Sequence, residues 1–245
     1  MERKVLIKAL FGSHNYNLND ENSDRDYKYF VAPTFDDLYE GKMFSTSKVG
    51  KEFDYDVHDI RKIPQLFWKS NINFIEILYS KDIKVGEDVV WGRTQYSLNQ
   101  IFKMKDQLVT MNLPYFYNAC MGMHFNKMKY LTQGTEGTKH LVEKFGYDTK
   151  QALHAYRVLD FITRFAENNF TDFQKAISYD DNEKEFMLAI KHGKYTKEEF
   201  EDLVKKKYNE FDQYKEVYAK QKPDQETYDK LNDIVKYVVK LELDT

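Results

Sequence analysis

The sequence predicts an α+β protein, with a mixed α/β part over about residues 1–95 and an all-helical part over about residues 96–245. Three observations carry this. Short apolar or alternating runs of strand character crowd the first part. After about residue 95 they give way to long helical periodicities. Helix-start signals of the capping-box type then appear at Asp148-Thr-Lys-Gln151 and Thr196-Lys-Glu-Glu199.

The first strand is the apolar run Val5–Phe11, broken at Gly12-Ser13. A polar loop follows, and the chain re-enters an extended run through Ser23-Asp24-Arg25-Asp26, with the second strand over Asp26–Val31. A third strand is expected over Glu52–Val57, where Phe53, Tyr55 and Val57 alternate with Asp54, Asp56 and His58. Asp59 is placed to cap a helix, and Pro64 then sits in or just after its first turn, where a helix tolerates proline best. Its buried stripe would be Ile60, Ile63, Phe67 and Trp68, and Asn71–Tyr79 forms a short second helix or turn. The boundary to the helical part lies near residues 80–100. There, Asp148 opens a helix to about Asn168, Thr196 opens one carrying Phe200, Leu203 and Val204, and Pro223-Asp224 opens the last. That last helix has Tyr228, Leu231, Ile234, Val235 and Val238 on its apolar face.

Bulk properties bound the function. With 42% apolar and 31% charged residues, the chain can bury a core and is not disordered. Aromatic residues make up 16%, which implies thick aromatic packing with tyrosines also suited to stacking on bases. A net charge of −3 means that any nucleic-acid contact must come from a local basic patch. The single cysteine, Cys120, excludes an intramolecular disulfide and suits a reducing compartment. Met1-Glu-Arg-Lys leads straight into a strand without a signal-peptide pattern, and no apolar run approaches the roughly 18 residues of a membrane helix. A cytoplasmic protein without membrane contact is expected.

The chemistry concentrates at Gly12-Ser13 and Asp24-Arg25-Asp26. On a strand, Asp24 and Asp26 point the same way, and two adjacent carboxylates repel unless a cation lies between them. All-oxygen ligands make Mg²⁺ the natural ion. The turn at Gly12-Ser13 offers backbone N–H groups and a hydroxyl to a phosphate. Lys150, His154 and Arg157, spaced by four and three, share one helix face suited to phosphates, or else simply solvated with local ion pairs. Other candidates point to packing or surface. His124, His140 and His192 lack zinc-ligand spacing, Cys120 sits in an apolar patch, and Lys205-Lys206-Lys207 reads as solvated surface.

Strand, Gly-Ser, loop, Ser-Asp-x-Asp, strand and a later acidic strand together resemble the DNA polymerase beta-type nucleotidyltransferase superfamily. The likeness extends to a branch of nucleotidyltransferases that includes proteins associated with RNA repair. That branch has Tyr-Gly-Leu after the Gly-Ser, similar to Tyr16-Asn17-Leu18, with Asn17 in place of the glycine. It has an acidic strand running into Leu-Arg-Lys, similar to Asp54 through Ile60-Arg61-Lys62. Its Lys-Gly-Asn-Pro-x-x-x-Glu element resembles Lys69 to Glu76, without the Gly and Pro. Its Tyr-Asp-x-Lys-x-x-x-His-x-x-Arg helix resembles Tyr147, Asp148, Lys150, His154 and Arg157. The resemblance covers about the first 165 residues.

The resemblance implies a catalytic core over residues 1–95 and a helical substrate-binding, cleft-closing domain over residues 96–245. It implies transfer of a nucleoside monophosphate from a nucleoside triphosphate such as ATP to a hydroxyl, with release of pyrophosphate. Two Mg²⁺ ions, or Mn²⁺ in their stead, would be held by Asp24, Asp26 and a third carboxylate. The resemblance favours Asp54 for that role, because the family's acidic position lies eight residues before the lysine that Lys62 resembles, with Asp56 on the same face as the alternative. Gly12, Ser13, Lys62, Lys150, His154 and Arg157 would bind the nucleotide. RNA or a tRNA end leads as acceptor, ahead of a protein side chain or a small molecule. The rival reading is a catalytically silent RNA- or protein-binding module on the same fold.

Overall fold

A computed structural model describes residues 3–48, 53–86 and 92–244, with residue 53 described by its backbone. Glu52, the expected start of the third strand, lies outside these, as do residues 87–91 within the expected boundary region. The chain forms two compact units, Met1–Asn112 with Pro223–Thr245, and Leu113–Lys222.

The first unit is built on a five-stranded mixed sheet. Its strands are β1 (Val5–Phe11), β2 (Arg25–Val31), β3 (Ser45–Lys48), β4 (Phe53–Asp59) and β5 (Ile83–Val85), in the order β3-β4-β2-β1-β5. β1 runs antiparallel to β2 and β5, and β3 antiparallel to β4, whereas β2 and β4 are parallel. A parallel pair needs a crossover, and residues 32–52 supply it through the helix α2 (Phe35–Tyr39) and β3. In β1, Leu6, Ile7, Ala9 and Leu10 are all buried, so the strand is covered on both faces.

Short helices surround the sheet: α1 (Ser13–Tyr16), α3 (Ile63–Trp68), α4 (Ile72–Ile75), α5 (Arg93–Lys103) and α6 (Lys105–Thr110). Asp59 caps as expected, accepting the Arg61 N–H at 2.9 Å, but the first turn is a 3₁₀ segment, Ile60–Lys62, before α3 begins. Pro64 sits at the start of α3, where its missing N–H is harmless. Ile60, Ile63 and Phe67 are buried; Trp68 is half-buried and packs edge-on against Tyr228, ring centroids 5.0 Å apart.

The second unit contains α7 (Leu113–Lys129), α8 (Lys139–Phe145), α9 (Thr149–Glu167), α10 (Phe173–Ile177), α11 (Asp181–Lys191), α12 (Lys197–Asp212) and α13 (Lys215–Ala219). α9 is its axis, with Ala152, Ala155, Val158, Leu159, Phe161, Ile162 and Phe165 buried against its neighbours. Asp148 caps it by accepting the Gln151 N–H at 3.0 Å. Phe116, Phe161, Phe165 and Phe173 form an aromatic core with centroids 5.2 to 6.3 Å apart. Fully burying each such ring contributes about 2–3 kcal/mol. Reciprocal capping boxes start α11 (Asp180 with Glu183) and α12 (Thr196 with Glu199).

The final helix, α14 (Gln225–Leu243), belongs to the first unit, not the second. Asp224 caps it through the Thr227 N–H at 3.0 Å, and Leu231, Val235, Val238 and Val239 are buried. Lys4 Nζ meets the Glu242 carboxylate at 2.7 Å, and the Thr94 hydroxyl donates to it at 2.6 Å.

Candidate active site

β1 ends where the chain turns at Gly12, with φ 76 and ψ −150, a region closed to L side chains. Glycine is needed for space as well, because a Cβ there would stand 2.8 Å from Asp26 Oδ2. The turn therefore lies against the Asp26 carboxylate. Ser13 opens α1, which ends at Asn17 in the left-handed region (φ 65), as a glycine there would. Behind the turn is Glu76, fully buried. It accepts the Gly12 N–H at 3.2 Å and the Tyr16 hydroxyl at 2.5 Å. The loop to Asp24 is pinned by the Asp20 carboxylate and the Ser23 hydroxyl (2.9 Å), and by the His14 ring against the Ser23 carbonyl at 3.0 Å.

Asp26 and Asp54 are direct partners in the parallel β2/β4 register, so both side chains project from one face. Burial pushes the Asp26 carboxyl up to about 6, and the charges of Asp54, Asp24 and Glu76 add to it, against a partial offset from Lys28. Gly12, Asp24, Asp26 and Asp54 are thus gathered at one end of the sheet.

One pair further along, Lys28 faces Asp56. Its Nζ lies 3.3 Å from Asp56 Oδ2 and 3.2 Å from the Phe11 ring centre, and the residue is only 2% exposed. Burial pushes this ammonium down, while Glu76, Asp56 and Asp26 hold it up. Asp56 also accepts the Ser47 hydroxyl at 2.5 Å. Against the pull of burial, that bond and Lys28 keep its carboxyl below the ordinary range. Next on the face is His58, its Nδ1 2.7 Å from the Ser45 hydroxyl. Burial, Lys28 and Lys62 push this imidazole down to about 4, so it is neutral at pH 7. Arg61 turns to Asp59, with Nε 3.0 Å from both carboxylate oxygens, and Lys62 stands partly buried at the His58 end of the site.

Lys150, His154 and Arg157 share a face of α9 in the helical unit; Lys150 is exposed, His154 half-buried and Arg157 buried. Cys120 is a core residue whose thiol burial pushes up to about 12. Lys207, expected as solvated surface, instead pairs with Asp160 at 3.1 Å and Glu210 at 2.6 Å. Of the acidic site, Lys28 escapes a reading by motif, and the motif names Glu76 without its place. Lys28 continues the Asp24, Asp26 alternation onto the same face, and that period of two was its only signal. Glu76 closes the Lys69–Glu76 element, but its place under Gly12 depends on long-range folding.

The donors at the Gly12 end are carboxylate oxygens, a set suited to a hard divalent cation such as Mg²⁺. Among the described residues, no three His, Cys, Asp or Glu side chains already stand close enough together to hold a metal ion. Among these residues, too, no helix is long and apolar enough to cross a membrane.

The model of the RlaP family, the RNA repair pathway DNA polymerase beta family, matches residues 1–236. No curated protein matches the chain. The chain belongs to this family of polymerase beta-like proteins associated with RNA repair.

Proposed function

We propose that this member of the RNA repair pathway DNA polymerase beta family is a Mg²⁺-dependent nucleotidyltransferase. It moves a nucleoside monophosphate from a nucleoside triphosphate to a hydroxyl at an RNA or tRNA end. The supporting observation is the β2/β4 register, which sets Asp26 opposite Asp54, with the Asp24 charge acting on Asp26 and the Gly12-Ser13 turn against Asp26.

Asp24, Asp26 and Asp54 would hold two Mg²⁺ ions, or Mn²⁺ in their place. Asp54 is preferred over Asp56 because it stands directly opposite Asp26 in the register, whereas Asp56 stands opposite Lys28. Bound ions would neutralise charge on the triphosphate and lower the pKa of the attacking hydroxyl. The acceptor oxygen forms a bond to the α-phosphorus as the bond to the pyrophosphate oxygen breaks. Protein side chains contribute position and charge to this step. Gly12 commits its own N–H to Glu76, and the N–H groups of Asn15 and Tyr16 go to the Gly12 carbonyl, so the Ser13 hydroxyl would make the phosphate contact. Lys62 would supply a further phosphate contact within the first unit, and Lys150, His154 and Arg157 of the helical unit form a basic face suited to phosphates by themselves.

Incubation with each α-labelled nucleoside triphosphate, Mg²⁺ and total RNA tests the reading, with Asp24→Asn/Asp26→Asn as control. Label is expected on RNA with the wild type only. Label on protein would move the acceptor to a protein side chain. Transfer by neither protein would replace the catalytic reading with a silent RNA- or protein-binding module, and equal transfer by both would remove the metal site.

A further inference from the structure

Within the helical unit, α9 runs antiparallel to both α7 and α11. On one side, the Phe116 ring packs 5.5 Å from Phe161, and two turns further along α7 His124 Nδ1 meets the Ala155 carbonyl at 3.0 Å. On the other, Arg164 reaches Glu183 at 3.4 Å and the Tyr156 ring lies 5.4 Å from Phe186. These registers bring the last turns of α7 and α11 to the first turns of α9. Lys127, one turn beyond His124, and Lys191, the last residue of α11, therefore arrive at the face of Lys150, His154 and Arg157. Exposure is graded across the group. Lys150 is exposed, Lys127, Lys191 and His154 are half-buried, and Arg157 is 2% exposed.

Charge agrees with this geometry. After burial, the largest influences on His154 come from Arg157, Lys127, Lys150 and Lys191, which help push its imidazole down to about 3. Burial and Arg157 also push the Lys127 ammonium down, with Asp148 pulling the other way. Cations gathered this closely and partly withdrawn from water make a local positive potential that draws an anion.

We propose that Lys127, Lys150, Arg157 and Lys191, grouped about His154, bind a compact phosphate polyanion, either a terminal phosphomonoester or a polyphosphate chain. This rests on the phosphate role given above to Lys150, His154 and Arg157, and adds Lys127, Lys191 and the form of the ligand. Cations strung along one surface suit a nucleic-acid backbone. Those here converge from three helices on one imidazole, which suits a single doubly charged group.

The test is calorimetric titration of the full chain at low salt without divalent metal. The titrants are inorganic tripolyphosphate, a 5′-phosphorylated oligoribonucleotide and the same oligonucleotide with a 5′-hydroxyl. Wild type is expected to bind tripolyphosphate, and Lys127→Met/Lys191→Met to lose about tenfold or more in affinity, the loss of one or more charge-assisted contacts. The titration reads binding without divalent metal and without transfer, so failure of the transfer reading and failure of this site are told apart. Preference for the 5′-phosphate over the 5′-hydroxyl assigns the site to an RNA end; tripolyphosphate binding without that preference assigns it to the nucleotide. Should the double variant unfold, Lys150→Glu at the exposed rim replaces it, with the same loss expected. Equal affinity in wild type and folded variant, or no binding by wild type, overturns the proposal.

Discussion

Asp26 meets opposing requirements. In the proposed metal role its carboxylate must be ionised, yet burial and neighbouring charge lift it to about 6 from an ordinary 3.8. A carboxyl raised in the folded state stabilises the fold below the unfolded value and loses that contribution as pH climbs through the folded one. Asp26→Asn should therefore end nucleotidyl transfer while raising stability, measured in chelator at pH 7.5, by on the order of 1 kcal/mol after solvent screening. By pH 4 the gain should be gone. Thermal melts at the two pH values check this, and a gain that persists at pH 4 would contradict it. Transfer itself should fall as pH drops through about 6. Lys28 is the buried cation of the same face. Lys28→Met leaves Asp56 and Glu76 without it, and urea denaturation should show a loss of about 3–5 kcal/mol, the range for breaking a buried ion pair. Gly12→Ala meets both the positive φ and the Asp26 oxygen, and should cost about 1–3 kcal/mol and most of the activity.

Among the elements, the pairing of β2 with β4 decides which carboxylates can cooperate. It predicts unequal effects: Asp54→Asn should lower transfer by about a hundredfold or more, whereas Asp56→Asn should retain most of it. Equal losses in labelled-nucleotide assays would remove the distinction. Much of this level was legible in the sequence. Val5–Phe11 and the 54–58 alternation gave themselves away by hydrophobic pattern, and Asp148, Thr196 and Asp224 by capping chemistry, because those signals are local. Which strand lies beside which is not local. Asp54 and Asp56 share a face, and only the register, which sets Asp54 opposite Asp26 and Asp56 opposite Lys28, separates their environments. Ser70 shows the converse. It stands where the element it resembles has a glycine, yet keeps a positive φ of 48, with its hydroxyl donating to the Asn112 carbonyl at 3.0 Å. A tertiary contact there offsets what the local residue preference opposes.

At the scale of the molecule, α14 completes the first unit from the far end of the sequence. Truncation before Pro223 removes no residue of the acidic site, but it strips the partners of Leu231, Val235, Val238 and Val239. Hydrogen exchange on the truncated chain should show protection lost across β1–β5 and retained in α9; retained protection in the sheet would show that α14 is dispensable. The helical periodicity of residues 225–243 was plain in the sequence, but its destination was not, since an apolar stripe does not name the surface that covers it. The same arrangement has an evolutionary reading. The chain leaves the first unit after Asn112 and rejoins it at Pro223, and across that gap the Asp224 N–H donates to the Met111 carbonyl at 2.7 Å. Departure and return are one hydrogen bond apart, so residues 113–222 behave topologically as a single long loop. Such a cassette can be exchanged, lengthened or duplicated while the sheet keeps its register, so a lineage can vary the helical unit without rebuilding the acidic site.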